Sequence, residues 1–480
     1  MLESLSPREV FHWFELLSAI PRGSGETKAV SDWCAAFAAE RGLPCHQDAA
    51  GNVVICKAGS CGGSHLPPLI LQGHLDMVCA KESGSPADMH REGVKLRTDG
   101  SDIWADGTTL GADNGIAVAM ILALLDASDI AHPPLEAVLT VDEETGMKGA
   151  AQLDLSLLKS RRMINLDAER EGEIFAGCAG GNKVVCHLPV TRLPISGEVW
   201  TLHICGLQGG HSGIDIHKGR ACAIRLLGRM LYQISRCAGM YAADAWGGQA
   251  DNAIADEAYA VIALQDACDI QAVTAALEEQ LREEYRSTEP TLRIQLCRSG
   301  TPSTMLDRAS TDRLLCLLQC APQGVEEMSA DVPGLPQTSS NLGVLRSGGD
   351  EIYAEFCIRS ALVSQKQMMN QRVACLAAQL GGRADCSAGS PVWAFRAESP
   401  LRERCRQAYL RLYGRQPVVK ISHAGAECGI FAAGIDGLDC VAIGPNITFV
   451  HTPKERLDVT SVSRTWQYLQ EILSLLCEEA

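Results

Sequence analysis

Leu69-Ile70-Leu71-Gln72-Gly73-His74-Leu75-Asp76-Met77-Val78 is the stretch on which the fold turns. Its three consecutive aliphatic residues, set between Pro68 and Gly73, read as a strand buried on both faces of a mainly parallel sheet. His74 and Asp76 then fall at the end of that strand. Residues two apart on an extended segment point to the same side, so the imidazole and the carboxylate share one space. A carboxylate beside a histidine can orient a metal-ligating imidazole, although the pair alone reads more simply as a capped strand end.

Other acids stand at equivalent places. The apolar run 135–141 ends in Asp142-Glu143-Glu144-Thr145-Gly146, where adjacent acids repel one another unless a cation is near. Met163-Ile164-Asn165-Leu166 leads into Asp167, and Cys440-Val441-Ala442-Ile443-Gly444-Pro445 precedes His451. Gly111-Ala112-Asp113-Asn114-Gly115 opens the long apolar segment 116–125, which is expected to be a buried helix with Asp113 or Asn114 near its start. Capping is the simpler role for Asp113, but a small-residue loop also lets the backbone approach an ion. In open α/β sheets ligands collect outside the carboxyl ends of strands, where all these groups would meet. His74, Asp113, Glu144, Asp167 and His451 make too many donors for one tetrahedral zinc and suit two ions sharing Asp113. Asp76 and Glu143 are left to orient a histidine and to move the proton of an attacking water.

The rest of the chain fits this frame. Helices are expected over 7–20 and 28–40, strands over 52–56 and 69–71, and irregular polar chain over 83–99. Strand and helix alternate, the pattern of an α/β sheet. At 480 residues the chain exceeds the size at which one core stops growing, so two or more domains are expected. Its 21 cysteines, without CxxC pairs, suit reduced core thiols. A net charge of −16 argues against nucleic acid or an anionic membrane as partner. No apolar run approaches the ~20 residues needed to span a bilayer, and Met1-Leu2-Glu3-Ser4 lacks a basic start, so a cytoplasmic location is expected.

The ordered motifs His74-Leu75-Asp76, 111–115, 142–146, Asn165-Leu166-Asp167 and His451-Thr452-Pro453 resemble those of the di-zinc exopeptidases, the family of carnosinase, carboxypeptidase G and peptidase T. Segments 20–26, 209–213, 252–254, 339–343 and 423–429 bring the resemblance closest to the aminoacyl-histidine dipeptidase branch, over nearly the whole length. The resemblance implies an α/β catalytic domain with a mixed, mainly parallel sheet, formed by 1–183 and 391–480, and an inserted α+β lid or dimerisation domain over 184–390. It places His74 and Asp167 on one ion, Glu144 and His451 on the other, and Asp113 between them. Asp76 would orient His74 and Glu143 would be the general base. Zinc is the expected metal, with manganese and cobalt as alternatives. A small peptide is the expected substrate, Xaa-His dipeptides foremost, and a homodimer through the lid is one expected assembly. Related activities to weigh are tripeptidase, carboxypeptidase and amide deacylase. A metal-binding or assembly protein on the same scaffold would have no use for Glu143.

The middle of the chain supplies polar candidates of its own. Strands are expected over 199–204 and 352–358 and helices over 221–234 and 271–285; 402–413 and 459–476 are helices of the returning chain. About 200 inserted residues accommodate two similar α+β halves. His211, between Gly209-Gly210 and Gly213, could donate to a developing oxyanion, or be an ordinary loop histidine. Asn252 could hydrogen-bond the peptide or cap a turn, Arg359 could clamp a substrate carboxylate or serve a structural ion pair, and Gly425 could offer its backbone N–H. Two positions depart from the family pattern: Ala255-Asp256 stand where proline and arginine follow the asparagine motif, and Pro391-Val392-Trp393 replaces a Pro-Gly-Trp turn.

Overall fold

The computed structural model describes residues 1–60, 62–298, 302–330 and 332–478. The chain folds as two compact units, one formed by Met1–Cys178, Trp393–Ser422 and Ala426–Ala480, the other by Ala179–Val392 and His423–Gly425.

The first unit is built on an eight-stranded mixed sheet. In spatial order its strands are Cys45–Gln47, Val53–Lys57, Leu135–Thr140, Leu69–His74, Arg162–Asn165, Asp439–Ala442, Glu173–Cys178 and Val418–Ser422. The strands Leu135–Thr140, Leu69–His74, Arg162–Asn165 and Asp439–Ala442 pair in parallel, so their carboxyl ends lie along one edge. Leu69–His74 and Leu135–Thr140 are buried at every residue, as suits their mainly aliphatic sequences. Helix Ala112–Asp126 packs on Leu69–His74 and is apolar all round from Ile116 to Leu125, which suits a helix enclosed on every side. Ser399 caps Pro400–Tyr413, with proline in its first turn and Gly414 ending it in the left-handed conformation. Asp458 caps the last helix, Val459–Cys477. The stretch 83–99 is irregular as expected until Leu96–Thr98, which pairs with Asp102–Ala105 in a small sheet that also holds Arg456–Asp458 and Ile447–Thr448. That sheet carries the turn bearing His451.

The second unit is an antiparallel sheet in the order Arg293–Arg298, Glu198–Cys205, Ala258–Leu264, Met240–Gly247, Pro336–Arg346, Glu351–Ser360, Gly180–Pro189, Arg383–Cys386, with Gly324–Met328 added beside Pro336–Arg346. Helices Ala223–Cys237, Ile270–Glu284, Arg308–Cys320 and Val363–Gln379 accompany it. Taken in sequence, the strands and helices from Glu198–Cys205 to Arg293–Arg298 form a βαββαβ half, inserted after Gly180–Pro189 into a second half of the same order that carries Gly324–Met328 as an extra strand; in each, the first strand lies between the last strand and the one before it in sequence. Among the described residues no helix is long and apolar enough to cross a membrane.

Candidate metal centre

Parallel pairing brings the strand-end residues of the first unit together. His74 is the last residue of its strand; Glu143 and Glu144 follow Leu135–Thr140, Asp167 follows Arg162–Asn165, and Asp113 lies in the first turn of the buried helix. The His74 Nε2 atom is 3.1 Å from Asp113 Oδ1 and 3.6 Å from Asp167 Oδ1. On the other side of the same carboxylate, His451 Nε2 is 3.2 Å from Asp113 Oδ2 and 3.0 Å from Glu144 Oε2. One donor atom each of His74, Asp113 and Glu144 lie within 4.8 Å of one another, a spacing that could hold a metal ion. Tetrahedral coordination at zinc–nitrogen and zinc–oxygen lengths separates neighbouring donors by about 3.3 Å, and these contacts fall close to that value.

Electrostatics point the same way. Burial alone would depress the His74 imidazole, yet Asp167, Asp113 and Asp76 hold it well above its ordinary range. Hydrogen bonds to Asp113 and Glu144 raise His451 to about 10. Burial, with neighbouring acids, pushes the carboxyls of Glu143 and Asp167 up. These acids and imidazoles compete for protons that a divalent cation would displace, and their chemistry therefore fits a metal.

The surrounding residues fix this geometry. Asp76, fully buried, lies 3.3 Å from His74 Nδ1 through its Oδ1 and accepts the backbone N–H groups of Glu143 and Glu144 at 3.0 and 3.3 Å and the Ser24 hydroxyl at 2.7 Å. One carboxylate thus orients a histidine and pins the acidic turn. Asp113 does not cap its helix: Gly111 is the N-cap, and Asp113 and Asn114 depart from helical backbone. Asn114 instead accepts from the His74 N–H at 3.1 Å and donates to Asp167 Oδ1 at 2.6 Å, tying two strand ends together. Below them Gln72, Thr140 and Glu427 form a buried cluster, with Thr140 donating to Glu427 at 2.7 Å and Gln72 at 2.5 Å. Among the described non-glycine residues, positive φ occurs only at Asp142, Met147, Phe449 and His451, all in the two turns that present Glu143, Glu144 and His451. Backbone held in sparsely populated conformations clusters at functional sites.

The remaining candidates lie in the second unit, where they form their own group. Strand Gly210–His211 pairs with Ala253–Ile254, and Ser212 donates its N–H to Asn252 O at 2.8 Å. His211 Nδ1 accepts from the N–H groups of Gly213 and Ile214 at 3.2 and 3.3 Å, so the proton of the neutral ring sits on Nε2 and leaves that atom a donor. Burial and the nearby Arg359 lower its pKa, which favours the neutral ring. Arg359 donates through Nε to Ser212 Oγ at 3.3 Å and makes no ion pair with a described residue, so the structural salt bridge is not formed. Asn341 holds the Asn252 turn by donating to Asp251 O and Ala253 O, each at 2.7 Å, and Ser339 bonds His423 Nε2 at 2.7 Å, two residues before Gly425. The departure at 255–256 places Ala255 in the core, with Asp256 exposed.

Two buried residues of the first unit escape sequence reasoning, Arg22 and Glu455, because both grip backbone groups. The only signals were Arg22 in its Gly-Ser-rich loop and an acid four residues after His451.

Residues 70–475 match the model of peptidase family M20/M25/M40. The cytosol non-specific dipeptidase of Escherichia coli (strain K12) is 35% identical over 98% of both chains. The crystal structure of aminoacylhistidine dipeptidase from Vibrio alginolyticus superposes with a TM-score of 0.91 and 33% identity, covering 99% of this chain and 98% of that one. A tripeptidase from Staphylococcus aureus, at 18% identity and a TM-score of 0.59, shares the fold. The chain belongs to peptidase family M20/M25/M40.

Proposed function

We propose that this protein is a metal-dependent dipeptidase that hydrolyses small peptides, Xaa-His dipeptides among them, with two divalent ions, zinc foremost, held by His74, Asp113, Glu144, Asp167 and His451. The observation that carries this reading is the Asp113 carboxylate, whose Oδ1 faces His74 and whose Oδ2 faces His451, so that it could serve an ion on either side. Bound ions would polarise the scissile carbonyl and make water a nucleophile near neutral pH. Glu143 accepts the proton of the attacking water as its oxygen bonds to the carbonyl carbon, then delivers it to the departing amine as the C–N bond breaks. Asp76 keeps His74 in one tautomer and Glu143 in reach through the N–H it holds.

The neutral Nε2–H of His211 is suited to donate to the oxyanion. Arg359, free of ion pairs with described residues, and the Gly425 N–H are suited to a substrate carboxylate, and Asn252 to the peptide. Their assignment to this reaction requires the inserted domain to act as a lid over a centre of its own chain or of a dimer partner. A cytosolic location agrees with the name of the Escherichia coli relative, a cytosol dipeptidase. Metal-stripped protein assayed on a panel of dipeptides, tripeptides and N-acyl amino acids, with zinc, manganese or cobalt restored, tests the reading. Metal-dependent turnover of dipeptides, with Xaa-His substrates among the best, is the expected result; turnover confined to tripeptides or N-acyl amino acids would overturn it.

A further inference from the structure

We propose that Arg22 and Glu455 are positioning residues with a divided task. Glu455 ties the Asp113 loop to the turn bearing His451, and Arg22 ties the same loop to the strand end bearing His74. The inference rests on the metal assignment above.

Glu455 is 2% exposed, and its carboxylate takes four successive backbone N–H groups. Oε2 accepts from Leu110 and Gly111 at 2.8 and 2.9 Å, and Oε1 from Ala112 and Asp113 at 2.9 and 3.2 Å. The last of these belongs to the bridging aspartate itself. The Glu455 backbone closes the turn that presents His451, donating to Thr452 O at 3.1 Å, while Thr452 N donates to Phe449 O at 3.2 Å. One residue therefore holds both partners of the 3.2 Å contact between His451 Nε2 and Asp113 Oδ2.

Arg22, also 2% exposed, grips carbonyls. Its Nη1 donates to Leu75 O and Asp76 O at 2.9 and 3.2 Å, and its Nη2 to Gly111 O. It spans from the residues after His74 to the Asp113 loop, and so sets the 3.1 Å contact between His74 Nε2 and Asp113 Oδ1. The glycines of the 111–115 motif make room for it, because a Cβ at Gly111 or Gly115 would lie 2.5 Å from Arg22 Nη2. Neither side chain touches a position where an ion would bind; each acts through backbone it holds. Fold stability alone could use a buried carboxylate in this way, as Glu136 shows by accepting the N–H groups of Lys159 and Ser160 at 2.9 and 3.1 Å.

The test uses the full-length chain, dialysed against a series of buffered zinc concentrations, with ions per chain counted by elemental analysis. In Glu455→Gln only one oxygen remains to accept N–H groups. One ion should bind as in wild type and the other should need about 10 to 100 times more zinc, the usual effect of losing a partner that orients a ligand. Arg22→Met should weaken the opposite ion by a similar factor. In a His451→Ala background, Arg22→Met should shift the remaining ion and Glu455→Gln should not. Saturating zinc should restore dipeptide turnover in the Glu455→Gln variant with KM unchanged, and Glu136→Gln should leave both midpoints where they are. If Glu455→Gln does not fold, Glu455→Asp, with its shorter reach, carries the same expectation. A wild type that takes up two ions together with variants whose midpoints do not move overturns this inference alone. A wild type that takes up fewer than two overturns the metal assignment and this inference with it.

Discussion

Glu143 and Glu144 are neighbours in one turn, and the proposed mechanism gives them different work. An amide at position 143 cannot take a proton at neutral pH, so Glu143→Gln should keep its metal, by elemental analysis, while kcat falls by about 10² to 10⁴. Wild-type turnover in that variant would remove Glu143 as the base. His423 offers a second check at this scale. Burial, with Arg359 and His217 nearby, lowers its pKa to about 3, so between there and the ordinary value near 6.5 the unfolded chain binds a proton that the folded chain does not. Stability should therefore fall as pH drops below about 6.5, at up to about 1.4 kcal/mol per pH unit from this residue. Urea titrations at pH 7 and pH 5 should show a smaller loss in His423→Gln than in wild type; equal losses would mean that His423 titrates normally. The acids and histidines of the candidate centre were legible in the sequence because each stands beside an apolar run, Asp113 before one and the others after, and type and place together are informative. Arg22 and Glu455 were not, since their partners are backbone amides and carbonyls of segments distant in sequence, which leave no mark in residue type.

At the scale of elements, the site depends on strand ends meeting along one edge. Gly444 lies just past Asp439–Ala442, and a Cβ there would stand 1.7 Å from Ala168 O, beside Asp167. Gly444→Ala must push these two strand ends apart, at a cost of about 1 to 3 kcal/mol or more. A lower urea midpoint and weaker zinc uptake are expected, and an unchanged midpoint would show that the contact relaxes freely. The buried strands 69–74 and 135–140 were readable from their aliphatic runs, whereas Glu173–Cys178 and Val418–Ser422 were not. Glycine and alanine in the first and a lysine in the half-exposed second dilute the pattern that burial on both faces would impose. The helix expected from about residue 116 begins at Ala112, with Asp113 and Asn114 out of helical geometry, Asp113 beside His74 and His451 and Asn114 bonded to His74 and Asp167, a tertiary demand that propensity does not record.

The molecule as a whole joins a mixed α/β unit to an antiparallel unit of two halves in βαββαβ order, the second with Gly324–Met328 as an extra strand. The halves repeat in topology without repeating in sequence, because alternating burial can be met by many residue sets. Whether His211 acts on a centre of its own chain or of a partner is a question at this scale. Mixed dimers of Glu143→Gln and His211→Ala chains should regain turnover only if donation crosses between subunits, while His211→Ala alone should lose about 10² to 10³ in kcat with metal content intact. Full activity of His211→Ala would end its oxyanion role. The most direct test of the whole account is to strip the metal, restore zinc stepwise, and measure ions per chain and Xaa-His dipeptide turnover in the same samples. Stripped protein should show no turnover and protein with two ions per chain full turnover; full turnover by chains shown to hold no metal would rule out a metal-dependent reaction.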